Sequence, residues 1–139
     1  MWQKVKGGIA VEEIKVGYFI RTNKGIIGKL KRIELDEIDK NLKWYVFDKK
    51  RPDMNIIDEI YINKPYITKY SKNIIDLIEI GDYVNGRKVM YIRDYEEFKR
   101  LDFDEDMDDY IYKEDIKTIL TKEQMEANQY VVKRNMETN

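Results

Sequence analysis

The stretch VGYFIRTNKGIIGKLKRIEL, residues 16–35, decides the fold class. Residues 16–22 are mainly apolar and aromatic, whereas 26–35 alternate apolar with basic side chains, and both patterns are typical of strands. The Asn-Lys-Gly tripeptide at 23–25 supplies residues that tolerate a positive φ, which a tight turn between antiparallel strands requires. The stretch therefore predicts a β-hairpin. Neither face of its second strand is purely apolar, so we expect that strand to be curved or to lie at a sheet edge.

More strand patterns follow the hairpin. LKWYVFD at 42–48 is rich in aromatic and β-branched side chains, and IIDEIYIN at 56–63 has the same character. The pair Asn85-Gly86 lies between IGDYV and RKVMYI and is the strongest two-residue hairpin signal in the chain. DYIYKEDI at 109–116 adds a short strand. These segments predict a second set of hairpins.

Helical segments are predicted only from capping residues. Ser71 can cap a helical turn across 73–78. Thr121, followed three residues later by Gln124, forms a capping box that begins a short helix. Asp82 is expected to accept backbone hydrogen bonds in the turn that enters its strand. The predicted helix content is therefore small.

The strand patterns and the chain length set the architecture. With 139 residues the chain is large enough for one domain with its own core. No linker or low-complexity tract interrupts the strand patterns. We therefore predict a single mainly β domain over 1–139, α+β with little helix. It would be a curved antiparallel sheet or an SH3-like small barrel, with a short C-terminal helix.

The composition excludes several classes of chemistry. The chain contains no Cys and no His, which rules out disulfides, thiolate nucleophiles, Cys/His zinc sites and imidazole catalysis. We expect a non-enzymatic protein with no catalytic residues, no metal and no cofactor. No apolar run approaches the roughly 18 residues of a membrane span, and the N-terminus lacks a signal-peptide core. A cytoplasmic protein that does not bind membranes is expected.

The net charge of -1 conceals an asymmetry along the chain. Residues 1–50 carry 12 basic and 7 acidic side chains, whereas residues 51–139 carry 14 basic and 20 acidic ones. Such a split predicts a basic hairpin and an acidic segment, which could form two surfaces of opposite sign.

The acidic segment is DFDEDMDDY, residues 102–110. In a strand, alternate carboxylates would lie on one face about 6.6 Å apart, close to twice the spacing of phosphates along a DNA strand. The segment could thus imitate a nucleic-acid backbone and occupy a cationic groove. Phe103 and Met107, on the opposite parity, would be apolar anchors. The candidate partner-binding residues are Asp102, Asp104, Glu105, Asp106, Asp108 and Asp109.

Two other interpretations of this segment stay open. Asp102, Asp104 and Asp106 have the spacing of the first calcium ligands of an EF-hand, but Met107 and Lys113 stand where that loop needs Gly and Glu. An EF-hand is therefore rejected, while a weak site for Ca²⁺ or Mg²⁺ is not. The segment could equally be a solvated acidic loop between two strands.

The basic hairpin is the alternative candidate site. Cations interleaved with aromatic rings are what a nucleotide or single-stranded nucleic-acid site uses for phosphate binding and base stacking. The same pattern also arises in an ordinary sheet whose aromatic residues are buried and whose lysines face solvent. The candidate residues are Arg21, Lys24, Lys29, Lys31, Arg32, Trp44 and Tyr45.

Three blocks of the chain resemble a family of small phage and prophage proteins of clostridia and related Firmicutes. They are SKNIIDLIEIGDYVNGRKV at 71–89, YKEDIKTILTKEQME at 112–126 and the hairpin motif from Arg21 to Lys29. These blocks cover about a third of the chain. The family carries no known activity, so the resemblance implies a genomic setting in which small non-enzymatic inhibitors of host defence are common.

Three functions are therefore expected, in order of preference. The first is a phage-encoded binding protein that inhibits a host defence component, anti-CRISPR-like, by occupying a cationic nucleic-acid-binding groove. The second is a module that binds or sequesters nucleic acid or a cyclic nucleotide on the basic hairpin. The third is a structural or replication accessory role in the phage. An exposed strand edge could pair two copies into a homodimer.

Overall fold

The hairpin predicted over 16–35 is present, as strands β1 (Phe19–Thr22) and β2 (Ile27–Leu35), which pair antiparallel. Gly25 closes the turn with φ +79°, a backbone conformation that glycine adopts without strain. The structure is a computed structural model that describes residues 13–51, 55–105, 108–130 and 132.

The chain forms two compact units, 1–77 and 78–139. The first contains a five-stranded antiparallel sheet in the order β4-β3-β2-β1-β5. Its other strands are β3 (Lys43–Arg51), β4 (Ile56–Ile62) and β5 (Ile67–Ser71). The predicted strands at 42–48 and 56–63 are thus confirmed, and β3 extends three residues further than expected.

An irregularity in β2 curves this sheet. Leu30 lies opposite Phe47 and Arg32 opposite Val46, so Lys31 is an extra residue in the ladder. Such a bulge bends the strand and increases its twist. The prediction of a curved antiparallel sheet is confirmed, whereas no closed barrel is present in the described ranges.

The core of the first unit is built from apolar side chains of its sheet and of the segment before it. Partly buried apolar side chains of β2, β4 and β5 pack around it. Gly28 lies against Phe47, since a Cβ atom at Gly28 would come within 2.1 Å of the Phe47 ring. The buried cluster consists of Ile14, Ile20, Leu30, Tyr45 and Phe47.

A short 3-10 helix ends the first unit. It spans Ile74–Leu77, and Ser71 Oγ accepts a hydrogen bond from the backbone N–H of Asn73. The helix buries Ile75 and Leu77. The predicted helical turn is therefore present, but Ser71 bonds the residue before it and does not cap the helix itself.

The second unit contains two three-stranded sheets with much shorter strands, in the orders β10-β9-β8 and β11-β6-β7. Asn85 and Gly86 form the predicted two-residue turn, with φ +53° and +80°. The strands are β6 (Tyr83–Val84), β7 (Arg87–Lys88), β8 (Tyr91–Asp94), β9 (Lys99–Asp102), β10 (Tyr110–Ile111) and β11 (Ile119–Leu120).

Polar side chains connect these short strands. Asp82 is fully buried, and its carboxylate accepts hydrogen bonds from the backbone N–H groups of Glu79 and Lys122. Lys122 begins helix α1 (Lys122–Ala127), whose N-terminus has the predicted capping box between Thr121 and Gln124. Both expectations are confirmed, and Asp82 in addition fixes the start of the helix.

None of the helices in the described ranges has the length and apolar character required to cross a membrane. The single domain over 1–139 stays a prediction, since a domain is defined by cooperative folding and the two units are described separately here.

Candidate functional site

In its described part, the acidic segment does not continue the strand on which the hypothesis of a nucleic-acid mimic depends. Strand β9 ends at Asp102, and the chain bends at residues 103 and 104 to enter the loop before β10. Asp102 itself is fully buried and accepts hydrogen bonds from Nε of Arg93 (2.7 Å) and Nε of Arg100 (2.9 Å). The expected one-faced row of carboxylates is therefore wrong for the described part of the segment, because Asp102 points at two arginines of its own sheet.

The other acidic residues lie in different environments. Asp109 forms an ion pair with Arg87, whose guanidinium also lies 4.6 Å from the ring of Phe103. Glu105 and Asp108 are exposed, whereas Asp104 is half-buried. One oxygen of Asp104, Oδ1, is buried and has no hydrogen-bond partner.

Two residues of the acidic hypothesis, Asp106 and Met107, lie outside the described residues. Within the described ranges, no group of three acidic side chains is arranged so that it could hold a metal ion. The weak divalent site that would include Asp106 stays a prediction.

The basic hairpin does not act as one surface either. Arg21 is fully buried and donates a hydrogen bond from Nη1 to the carbonyl oxygen of Leu77 at 2.9 Å. Tyr45 is also buried, in the core cluster, and burial raises the pKa of its hydroxyl. Neither side chain is available to a ligand, because both hold the first unit together.

Two more of the predicted cations are neutralised within the sheet. Glu59 on β4 accepts hydrogen bonds from Arg32 and forms an ion pair with Lys31. Lys31 also lies 2.9 Å from Asp48, and Arg32 contacts Glu34. Hydrogen bonds from Arg32 and Lys31 hold the pKa of Glu59 far below its ordinary value. These charges are matched by neighbours on the sheet.

Three residues of the predicted set remain. Lys29 is exposed, with its ammonium group 5.7 Å from the centroid of the Phe19 ring. Lys24 and Trp44 lie on the same cavity of the first unit. The cavity has a volume of about 350 Å³, within the range of small-molecule sites. Its lining residues come from the end of β1 and the β1–β2 turn, from β3, and from the end of β4 and the segment that follows it: Thr22, Asn23, Lys24, Ile26, Trp44, Ile60, Tyr61, Ile62, Asn63 and Tyr66.

The aromatic wall of this cavity is held in place by neighbouring groups. The indole N–H of Trp44 donates to Asp36 Oδ1 at 3.0 Å, and the Tyr61 ring packs edge-on against the Trp44 ring, with centroids 6.5 Å apart. The backbone N–H of Asp39 and the indole N–H of Trp44 hold the pKa of Asp36 below its ordinary value, so this acceptor stays ionised. Trp44 is thus oriented before any ligand binds.

The rim of the cavity carries polar groups that have no partner among the described residues. Within residues 13–51, 55–105, 108–130 and 132, the ammonium group of Lys24 and the side-chain amide of Asn23 form no ion pair or hydrogen bond. Both side chains are exposed, as is Tyr66, which is 52% exposed. An aromatic cavity with an unmatched ammonium at its edge suits a flat ring that carries a negative charge.

The sequence indicates only part of this site. Lys24 and Trp44 are in the predicted basic aromatic set, but Tyr61 and Tyr66 are not. Residues 60–66 are a strand end followed by a 3-10 turn, Lys64–Tyr66, and nothing local distinguishes their tyrosines from core residues. Only the pairing of β4 with β3 brings Tyr61 next to Trp44.

We compared the chain with models of protein families, with curated proteins and with solved structures, and none of the three comparisons finds a match. The resemblance to small phage proteins therefore stays a prediction, and the functional argument depends on the geometry of the site.

Proposed function

We propose that the protein is a nucleotide-binding module of a bacterial cytoplasm, and that the base lies in the Trp44 cavity. The observation that carries this proposal is the unmatched ammonium of Lys24 at the edge of a cavity walled by Trp44, Tyr61 and Tyr66. Every base has a face that stacks on aromatic side chains, and a phosphate beside it would bind the ammonium.

The form of the cavity favours a mononucleotide over a long strand. Lys31 and Arg32 are already paired with carboxylates. Lys29 lies over the Phe19 ring and does not line the cavity, so none of these three cations extends a phosphate-binding track from Lys24. Long single strands need a continuous positively charged groove. One ring and one anionic group therefore match the site better.

The experiment is a calorimetric titration of the full-length chain with adenosine monophosphate, a cyclic nucleotide, adenosine and inorganic phosphate. We expect Lys24→Gln to weaken monophosphate binding about tenfold and to leave adenosine binding unchanged. Tyr66→Ala should weaken the binding of both the nucleotides and adenosine. Lys113→Gln, which removes the same charge from an exposed position of the second unit, is the matched control.

Two results would overturn the proposal. One is the absence of binding by every nucleotide at about millimolar concentration. The other is an equal loss of monophosphate affinity in Lys24→Gln and Lys113→Gln. The position of Lys24 at the cavity would then make no difference to binding.

Inhibition of a host defence component through the acidic segment is supported less well. Glu105 and Asp108 are the exposed carboxylates of its described part, whereas Asp102 and Asp109 are paired with arginines. Sequestration of a signalling nucleotide would serve the same biological end, and the nucleotide module therefore agrees with the phage setting that the resemblance implies.

A further inference from the structure

The sheet β10-β9-β8 of the second unit has two different faces. Ile92, Leu101 and Ile111 are cross-strand neighbours and form the apolar face, on which Leu101 is fully buried. The other face carries aromatic rings and arginines, because alternate residues of the three strands are Tyr or Arg: Tyr91, Arg93, Arg100, Tyr110 and, past the strand end, Tyr112.

Four rings on this second face form a continuous row, which we call the aromatic row: Tyr95, Phe98, Tyr112 and Tyr110. Phe98 contacts Tyr95 with ring centroids 4.7 Å apart and Tyr112 at 5.5 Å, and Tyr112 contacts Tyr110 at 5.6 Å. Ring-to-ring contacts of this kind hold each ring in a defined orientation.

The aromatic row is exposed although its rings are apolar. Tyr95 is 42% exposed, Phe98 45% and Tyr110 40%. Arg100 stacks on Tyr110 at 4.1 Å from its centroid and is held by the buried carboxylate of Asp102. A contiguous exposed set of oriented rings marks an interaction surface more often than a solvated sheet.

The charge beside the aromatic row selects the partner. Glu96 and Glu97 are exposed and form the hairpin tip between Tyr95 and Phe98, which the Tyr95 N–H closes by donating to the Phe98 carbonyl oxygen. Asp94, which precedes them, lies 4.0 Å from the ammonium group of Lys99 and is therefore matched within the sheet. Arg93 and Arg100 share the carboxylate of Asp102. Glu96 and Glu97 thus supply the exposed charge at this end of the row, and they repel phosphates and attract cationic side chains.

We propose that the aromatic row binds an extended, proline-rich segment of a partner protein that carries Arg or Lys. A proline-rich chain is already in the polyproline II conformation, so it docks against exposed aromatic rings with little loss of entropy. Its basic side chains would pair with Glu96 and Glu97. This surface lies in the second unit and does not depend on the nucleotide proposal.

The test is fluorescence anisotropy of a labelled synthetic peptide with Pro-x-x-Pro spacing and flanking arginines, titrated with the full-length chain. Two matched peptides replace the prolines by Ala or the arginines by Glu. We expect both changes to weaken binding about tenfold. Added salt should weaken the original peptide, because part of its attraction is electrostatic.

Variants of the chain locate the surface. Phe98→Ala should weaken peptide binding about tenfold. The double variant Glu96→Gln, Glu97→Gln should weaken peptide binding several-fold while leaving the rings of the row in place. Tyr130→Ala, at an aromatic residue 85% exposed and outside the row, is the control and should bind as the wild type does. The glutamine variant keeps the test decisive if Phe98→Ala disturbs the hairpin.

Several outcomes would overturn the proposal. Equal binding of the proline and alanine peptides removes the polyproline requirement, and tighter binding of the glutamate peptide reverses the charge argument. Binding of a single-stranded oligonucleotide that Phe98→Ala abolishes would assign the row to nucleic acid. Self-association that Phe98→Ala abolishes, measured by analytical ultracentrifugation, would assign it to a second copy.

Discussion

In the first unit, β2 and β3 have nine residues each and enclose an apolar cluster, whereas no described strand of the second unit exceeds four residues. In the second unit, polar side chains hold the short strands together. Asp82 and Asn85 form hydrogen bonds with residues 30 or more positions away in sequence. Asp102, which is fully buried, accepts hydrogen bonds from two arginines of its own sheet.

This difference in construction predicts that single substitutions will affect the stability of the two units differently. A long ladder with an apolar cluster spreads its stabilisation over many contacts, so a single surface charge matters little. A short-strand unit depends on a few groups, and removing one partner of a buried pair leaves the other unsatisfied. Removal of a buried charge such as Asp102 should therefore be more severe than removal of a surface charge of the first unit.

The largest effect is expected from Asp102→Ala, which leaves Arg93 and Arg100 without the carboxylate that they share. Loss of one partner from a buried ionic cluster lowers the free energy of unfolding by about 4 kcal/mol. Urea unfolding measured by circular dichroism gives the magnitude, and hydrogen exchange shows whether amides of β8 and β9 lose protection first.

Asp108→Ala is the matched control for this prediction, because it removes an exposed aspartate from the same segment. It should leave the unfolding midpoint nearly unchanged. If the two variants unfold at the same urea concentration, buried polar side chains do not stabilise the second unit more than exposed ones do.

A steric change should be the severe one in the first unit. In Gly28→Ala the new methyl group would overlap the ring of Phe47, which is itself fully buried, so the ring and the strand must shift. Overpacking of this kind destabilises by about 2–3 kcal/mol. Thermal unfolding followed by circular dichroism measures the loss.

Gly86→Ala separates steric overlap from backbone strain. Its φ is +80°, but a Cβ atom there would meet nothing within 4 Å. We expect a cost of about 1 kcal/mol from the left-handed backbone conformation alone. A loss at Gly28 no greater than this would mean that Phe47 moves aside freely and that the core is not closely packed.

The smallest effect is expected from the surface ion pairs of the first unit, and it depends on pH. Arg32, Lys31 and the Tyr61 hydroxyl lower the pKa of Glu59 below its ordinary value. Since the folded-state pKa is the lower one, the contribution of Glu59 is present above the unfolded-state pKa and is lost as pH falls through the folded-state pKa. In Glu59→Gln, the free energy of unfolding should therefore fall less steeply than in the wild type as the pH is lowered from about 5 to about 2.

Urea midpoints measured across that pH range for Glu59→Gln and the wild type give the comparison. An NMR titration of the Glu59 carboxyl carbon checks the sign directly, since its midpoint should lie below the ordinary pKa of a glutamate. A midpoint above it would contradict the ion-pair geometry.

Local rules predict the turns and caps of this chain well. The hairpin turn at Asn85-Gly86 and the capping box of Thr121 and Gln124 are both present, because each depends only on residues within a few positions. The curved sheet also follows from residues 16–35, where mixed faces of β2 indicate a distorted strand.

The sites could not be predicted in the same way. The alternating aspartates after residue 101 predict a one-faced strand only if the chain stays extended, and the bend at 103 removes that condition. Whether a charged residue is a surface group or a buried anchor depends on what lies opposite it. Arg93 faces Arg100 across β8 and β9, and Asp102 binds both guanidinium groups.

The sequence by itself determined the mainly β class, the main hairpin turns, the helix cap and the absence of thiol and imidazole chemistry, because composition and short-range spacing carry that information. Only the tertiary structure decided which charges face solvent. It buried Arg21 and Asp102, paired Lys31 and Arg32 with Glu59, and placed Lys24 on a cavity beside Trp44. The physical reason is that burial and charge pairing depend on strand register, which joins residues far apart in the chain.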